Sequence, residues 1–350
     1  MTPEGDSRPF GDRLAAAVAA RESQIVLGID PDPTRLWPPA PQERTSEARA
    51  ELAQALAAAH ESAREVIAAA APEPANGDGR PPLPPPTPHE LPAAVEAAAA
   101  VLAHTLTLID AAAPACVAAK PQLACFERLG FAGWLVLEAV CSHARAAGLL
   151  VLADGKRGDV PVTAAAYGQS FTGRTPSPFG PVPGLDVDAL TANPLLGRDA
   201  LEPLVSSARE AGAGVFALVR TSNPGAADIM DLPLATGEPL WERLATLVAG
   251  LGEQGAAGLS DVGAVTGATA PQHLARMREL MPHTPFLLPG VGAQGGDVAD
   301  LAPAFAPGRA AGLVTASRSI AHAHEQTGKD PAAAARAEAE RLRGVAWDLA

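Results

Sequence analysis

With 350 residues, 47% hydrophobic but only 4% aromatic, the chain has enough apolar side chains for one large domain or two small ones, with a core built mainly from Ala, Val and Leu. A net charge of -13 argues against a nucleic-acid or membrane-surface partner, but leaves room for an anionic small molecule where positive groups converge locally. Cys116, Cys125 and Cys141 lack metal-like spacing and are too few for a disulfide scaffold. The polar start and the lack of any apolar run of about 18 residues set the expectation of a cytoplasmic protein.

Residues 10–22 read as a short helix leading to the buried strand 24–30, which ends in Asp30 and is stopped by Pro31. A helix is expected over about 44–70, and again over about 90–112. Between them, residues 71–91 are rich in Pro, Gly and Ala and read as a flexible surface insertion, not a domain boundary. The expected domain organisation is therefore one domain over residues 1–350 carrying that insertion.

Further strands follow at 116–120, 149–154, 187–193, 215–220, 262–265, 286–288 and 311–315. Helices are expected between them at 131–147, 161–170, 199–211, 239–256 and after Pro271, with more from Ser317 to the end. Loops rich in Gly and Pro cover 172–185 and 225–238. Eight apolar strands separated by helices imply parallel βα units and predict a closed (β/α)8 TIM barrel of the α/β class. No GxGxxG follows the first strand, which weakens a dinucleotide-binding alternative. In a barrel the carboxyl ends of the strands share one rim, so Asp30, Lys120, Asp154, Asn193 and Thr221-Ser222 are expected to converge there.

The most informative stretch is Asp154-Gly155-Lys156-Arg157-Gly158-Asp159, where a strand opens into a loop. Lysine occurs only at Lys120, Lys156 and Lys329, so a lysine kept inside this motif points to a use for an ammonium that arginine does not serve. The bland reading is a solvated ion cluster. Asp154 and Lys156, two apart on an extended chain, are expected to point to the same side. Lys120, Asp154, Lys156 and Asp159 then form an alternating network that keeps a lysine charged when desolvated. Such a lysine suits a general acid delivering a proton to a carbanion better than a Schiff base, which needs a lowered pKa.

The second constellation is Gly290 to Gly296 together with Arg318, after the seventh and eighth strands. In many barrels these loops bind phosphate, with glycine amides cradling the anion and an arginine clamping it. Gln294 adds an amide donor. The competing readings are a tight turn and a surface arginine. Thr221-Ser222-Asn223 reads equally well as ring-recognising hydroxyls and amide or as a turn ending a strand; Asn193 carries the same ambiguity. His322 and His324, two apart on an expected helix, are not expected to face each other, and no histidine pair has metal-ligand spacing.

The ordered set LGIDPDP at 27–33, KPQLACFE at 120–127, DGKRGD at 154–159, TANPLLG at 191–197, VRTSNPG at 219–225, GAVTGAT at 263–269, PGVGAQGG at 289–296 and SRSI at 317–320 resembles the orotidine 5'-phosphate decarboxylase family, in particular its longer bacterial branch (type 2). The resemblance implies decarboxylation of orotidine 5'-phosphate to UMP with no metal or other cofactor, Lys156 protonating C6 and Asp154 lying near the substrate carboxylate. It further implies that Lys120 bridges the aspartates and that Asp30 binds the ribose. Asp159 and Thr163 would reach the partner's ribose in a homodimer with shared active sites. Ser222 would read the pyrimidine edge, with Pro289 at the pocket wall, and Gln294, Gly295, Gly296 and Arg318 would grip the phosphate. The alternative on the same barrel is a Mg²⁺-dependent sugar-phosphate decarboxylase or hexulose-phosphate synthase.

Overall fold

The structure, a computed structural model, describes residues 8–37 and 91–350 except 293, together with a few helical positions between 46 and 58. The 71–91 insertion, apart from Leu91, and most of the helix expected over 44–70 lie outside the described residues. The chain divides into two compact units, one made of the segments ending at Asp30, Leu108–Leu123 and Cys141–Ala350, the other of Pro31–Thr107 and Ala124–Val140.

The first unit contains eight parallel strands: β1 (Ile25–Ile29), β2 (Ala118–Pro121), β3 (Leu150–Arg157), β4 (Ala189–Ala192), β5 (Gly214–Arg220), β6 (Val262–Thr266), β7 (Phe286–Leu288) and β8 (Gly312–Ala316). They close in sequence order, with β1 pairing both β2 and β8, so the expected (β/α)8 barrel is the fold. Most strand positions are fully buried, which suits strands walled by helices outside and by side chains inside. The barrel interior is filled by small and medium residues such as Val26, Ala118, Leu152, Ala189, Val265, Leu287 and Leu313, plus Phe216.

The helix Phe10–Arg21 spans the amino-terminal mouth of this barrel. Phe10 is fully buried and meets Phe216 edge-on at 5.8 Å, a burial that stabilises by roughly 2–3 kcal/mol. A Cβ on Gly214 would come within 2.5 Å of the Phe10 ring, so β5 must begin with glycine for the plug to seat. Arg13 donates to Asp188 just before β4, and Arg21 donates to Cys116 O before β2 and Gly148 O before β3. With that mouth sealed, the carboxyl rim is left for chemistry.

Several details differ from the sequence expectation, among them a short helix, Ala226–Met230, within the expected 225–238 loop. β3 runs on to Arg157, through a register shift against β4. The helix that begins at Leu240 ends at Ala249, well short of residue 256, because the following stretch carries Gly250, Gly252, Gly255 and Gly258. The 172–185 loop folds into a two-stranded antiparallel ribbon, Arg174–Thr175 with Val182–Pro183.

In the second unit, Trp37 packs edge-on against His104 with ring centroids 5.1 Å apart and donates its backbone N–H to His104 Nδ1. Arg128 returns a hydrogen bond to Pro31 O. Contrary to the sequence expectation, the stretch Ala93–Ala115 is long and apolar enough, by length and composition, to cross a membrane. It also carries the buried polar residues His104 and Thr105.

Candidate functional site

The carboxyl rim of the barrel surrounds a cavity of ≈ 460 Å³ to which all eight strands or the loops after them contribute. Its size is that of a small-molecule pocket. Asp30 enters from the end of β1, Lys120 and Gln122 from β2, Asp154 and Lys156 from β3 and Thr191 from β4. Thr221 to Asn223 follow β5, Pro289 to Val291 and Gln294 follow β7, and Ser317 and Arg318 follow β8.

Asp154 is the centre of the polar half. It is 5% exposed, and the Lys120 and Lys156 ammoniums donate to its two oxygens, each at 2.6 Å. Gln122 Nε2 adds a bond at 3.3 Å and the Thr191 hydroxyl one at 2.8 Å. Burial pushes the Asp154 carboxyl up, but the charges and hydrogen bonds of the two lysines outweigh it and hold the group well below the usual carboxylate range. Asp154 therefore stays ionised and orients both ammoniums. Lys120 is buried, whereas the Lys156 side chain is 41% exposed and lies at the cavity.

The route by which Lys156 meets Asp154 is not the simple alternation of an extended strand. Lys156 adopts a left-handed backbone with φ 47°, within the irregular end of β3. Its N–H leaves the ladder and donates to Thr191 Oγ1 at 2.8 Å. Arg157, the next residue, lies over the rings of Tyr167 and Phe171 at 5.5 Å and 5.9 Å, which anchors this bulge to the following helix.

Asp159 does not join this cluster within its own chain. Its carboxylate accepts the N–H of Val160 at 2.7 Å, ahead of the helix Pro161–Phe171, and it does not line the cavity. Thr163 is exposed on the first turn of that helix. The network expected from the motif is thus three residues, Lys120, Asp154 and Lys156, supported by Gln122 and Thr191. Sequence reasoning missed those two supports. Gln122 stands one residue past a proline-ended strand, and Thr191 reads as an ordinary β-branched strand residue.

Ser222 is seated from behind. Thr269 donates to its carbonyl at 2.9 Å, and a Cβ on Gly267 would come within 2.7 Å of its Cα. The loop that follows is closed by a bidentate pair, Arg220 to Asp231 with both bonds at 2.8 Å, and these hydrogen bonds hold Asp231 below the usual carboxylate range. Asn193 accepts the N–H of Leu195 and so acts as a turn residue.

Across the barrel, Gly290 has φ 106°, and a Cβ there would press on both Ser222 and Thr269 at 3.1 Å. The N–H of Gly295 bonds Gly292 O at 2.8 Å and that of Gly296 bonds Gly290 O at 3.0 Å. Both amides are spent on the shape of the loop, so in this conformation neither points at an anion. Gln294 and Arg318 are exposed and line the cavity, which places an amide and a guanidinium on the β7–β8 side of the rim, across from Asp154 on β3. His322 and His324, expected to diverge, bring their rings to 6.3 Å because the helix Arg318–Ala321 breaks at His322. Among the described residues, no group of three or more His, Cys, Asp or Glu side chains is placed to hold a metal ion.

A family model described as "Orotidine 5'-phosphate decarboxylase / HUMPS family" matches residues 95–337. The orotidine 5'-phosphate decarboxylase of Deinococcus radiodurans is 47% identical over 223 residues, covering 63% of this chain and 76% of that protein. Among solved structures, Leishmania donovani UMP synthase superposes with a TM-score of 0.64 at 27% identity, over 97% of this chain but only 57% of that longer chain. Leishmania donovani OMP decarboxylase superposes with a TM-score of 0.61 at 26% identity, covering 97% of this chain and 99% of that one. The matched span takes in β2 through β8 and every cavity residue except Asp30, and on that basis the chain belongs to the orotidine 5'-phosphate decarboxylase / HUMPS family.

Proposed function

We propose that this chain is a carboxy-lyase that converts orotidine 5'-phosphate to UMP and CO2, using neither a metal nor an organic cofactor. The observation that carries this reading is the buried Asp154 held between Lys120 and Lys156, across the barrel from Gln294 and Arg318. The C6–carboxylate bond breaks, CO2 departs and the electron pair remains on C6. The Lys156 ammonium, already aimed by Asp154, stabilises that carbanion and transfers a proton to it. Asp154 lies near the departing carboxylate and Lys120 fixes it in place. Asp30 binds the ribose, Ser222 reads the pyrimidine edge and Pro289 forms the pocket wall. Gln294 and Arg318 grip the phosphate, while Gly295 and Gly296 set the loop that presents Gln294. Binding energy from the phosphate is thereby used to hold the ring at Lys156.

The ordered motifs support assignment to the longer bacterial branch (type 2) of the family, and to one barrel domain bearing a Pro-rich surface insertion at 71–91. We further propose a homodimer acting in the cytoplasm, in which Asp159 and Thr163 complete the partner's ribose site. Their segment supports this: neighbouring Val160 and Val162 are 56% and 85% exposed, an apolar surface that a second copy would cover. The negative net charge supports a small nucleotide as the partner in place of nucleic acid or a membrane.

The rival reading is a Mg²⁺-dependent sugar-phosphate decarboxylase or hexulose-phosphate synthase. Both oxygens of Asp154 are taken by ammoniums, which disfavours a cation at that carboxylate. The deciding experiment is a spectrophotometric assay of EDTA-treated protein with orotidine 5'-phosphate. Turnover without added metal is expected; none, or turnover only after Mg²⁺ is restored, would overturn the reading.

A further inference from the structure

Thr191 lies in β4, is 1% exposed, and has no part in the substrate contacts or proton transfer proposed above. Its hydroxyl makes two bonds that meet at the reacting pair. It accepts the backbone N–H of Lys156 at 2.8 Å and donates to Asp154 Oδ1 at 2.8 Å. That same oxygen receives the Lys156 ammonium at 2.6 Å. One side chain from a neighbouring strand therefore touches the backbone of the proton donor and the carboxylate that orients it.

The backbone makes this contact necessary. At φ 47°, Lys156 stands in a left-handed conformation that non-glycine residues rarely adopt and that must be held by its surroundings. The β3–β4 register slips between Ala153 and Arg157, so the Lys156 amide has no ladder carbonyl to meet and is satisfied by a side chain instead. Without that bond the Lys156 amide loses its partner, and the bulge is held only from Arg157, so that a Lys156 relaxing toward an extended backbone would leave the ammonium at a different angle. A misplacement of about 1 Å at a reacting centre costs on the order of a hundredfold in rate.

We propose that Thr191 is a positioning residue, whose single hydroxyl locks the Lys156 backbone and the Asp154 carboxylate into the one geometry that aims the ammonium at the reacting carbon. This rests on the decarboxylase reading for the rate effect, but not for the structural device. Thr191→Val keeps the shape and removes the hydroxyl; Thr191→Ser keeps the hydroxyl and removes the methyl.

The test measures kcat and KM for orotidine 5'-phosphate, UMP affinity by calorimetry and amide hydrogen exchange across residues 150–157 in wild type and both variants. For Thr191→Val, kcat falls about 10- to 100-fold, the value of one hydrogen bond to a charged group, while KM and the UMP Kd stay within about threefold. The Lys156 amide exchanges at least about tenfold faster. Thr191→Ser restores both kcat and slow exchange. A valine variant with wild-type kcat, or with unaltered exchange, overturns the inference, as does a loss shared equally by UMP binding. If the valine variant does not fold, a folded serine variant whose kcat drops tenfold or more overturns it instead. Failure of the wild type to turn over would sink the functional reading alone, and the exchange measurement would still judge Thr191.

Discussion

Replacing Asp154 by asparagine separates the charge of this residue from its shape. The carboxylate side chain is 7% exposed and its Lys120 partner 6%, so that pair is dry, whereas Lys156 is 41% exposed. Removing one partner of a buried ion pair costs about 3–5 kcal/mol, and the wetter Lys156 pair adds no more than about 1 kcal/mol. The asparagine amide also turns an N–H donor toward donors, and the two ammoniums lose the charge between them. For a chain of 350 residues each kcal/mol moves Tm by roughly 1–2 °C, so a fall of about 3–12 °C is expected in a thermal melt at pH 7. The pH dependence has a definite sign. Because the folded carboxyl is held below its ordinary value, its contribution is complete above the unfolded pKa near ~4 and is lost as pH falls through the lower folded pKa. The gap in Tm between wild type and Asp154→Asn should therefore be flat from about pH 5 to 8 and narrow only in more acid solution. A variant as stable as wild type at pH 7, or a gap that already closes near pH 6, would refute an ionised Asp154 held between two lysines.

Three further outcomes follow from the same geometry. Lys156→Ala should lower kcat by about 10²–10⁴ or more, the worth of a positioned acid, while UMP still binds in calorimetry; a near-normal rate would remove Lys156 as proton donor. Arg318→Ala should raise the Kd for UMP about 10- to 100-fold, the loss of a charge-assisted phosphate contact, and leave uridine binding unchanged. Mixing Asp159→Ala and Lys156→Ala proteins should recover activity in hybrid dimers carrying one intact site; verified hybrids without recovery would count against a shared site.

Much of this architecture is legible from the sequence because barrel strands are short apolar runs that stop at polar or proline-flanked ends. The run before Asp30, the run ending at Lys120 and Pro121, and LLVLAD before Gly155 all carry that signature, and Asp30, Lys120 and Asp154 all line the rim cavity. What the sequence hides is local backbone departure. Period-two reasoning assumes an extended chain, so it cannot foresee a lysine at φ 47° or a threonine on the next strand supplying its hydrogen-bond partner. The same blindness applies to Gly295 and Gly296, whose spacing suggests an anion cradle although their amides bond back into the loop. Asp159 reads as a fourth member of the charge network because sequence distance is short, yet the turn into the helix at Pro161 carries its carboxylate away from the cavity.

In the proposed reaction Lys156 delivers a proton to C6 as CO2 leaves, with no metal taking part. The direct measurement is turnover of orotidine 5'-phosphate in D2O by EDTA-treated protein, with the isotopic content of the UMP read by NMR and CO2 counted alongside. Wild type is expected to give one deuterium at C6 and one CO2 per UMP, and Lys156→Ala a rate lower by about 10²–10⁴ or more. Turnover that requires added Mg²⁺, or deuterated UMP formed by Lys156→Ala at the wild-type rate, would contradict that reaction.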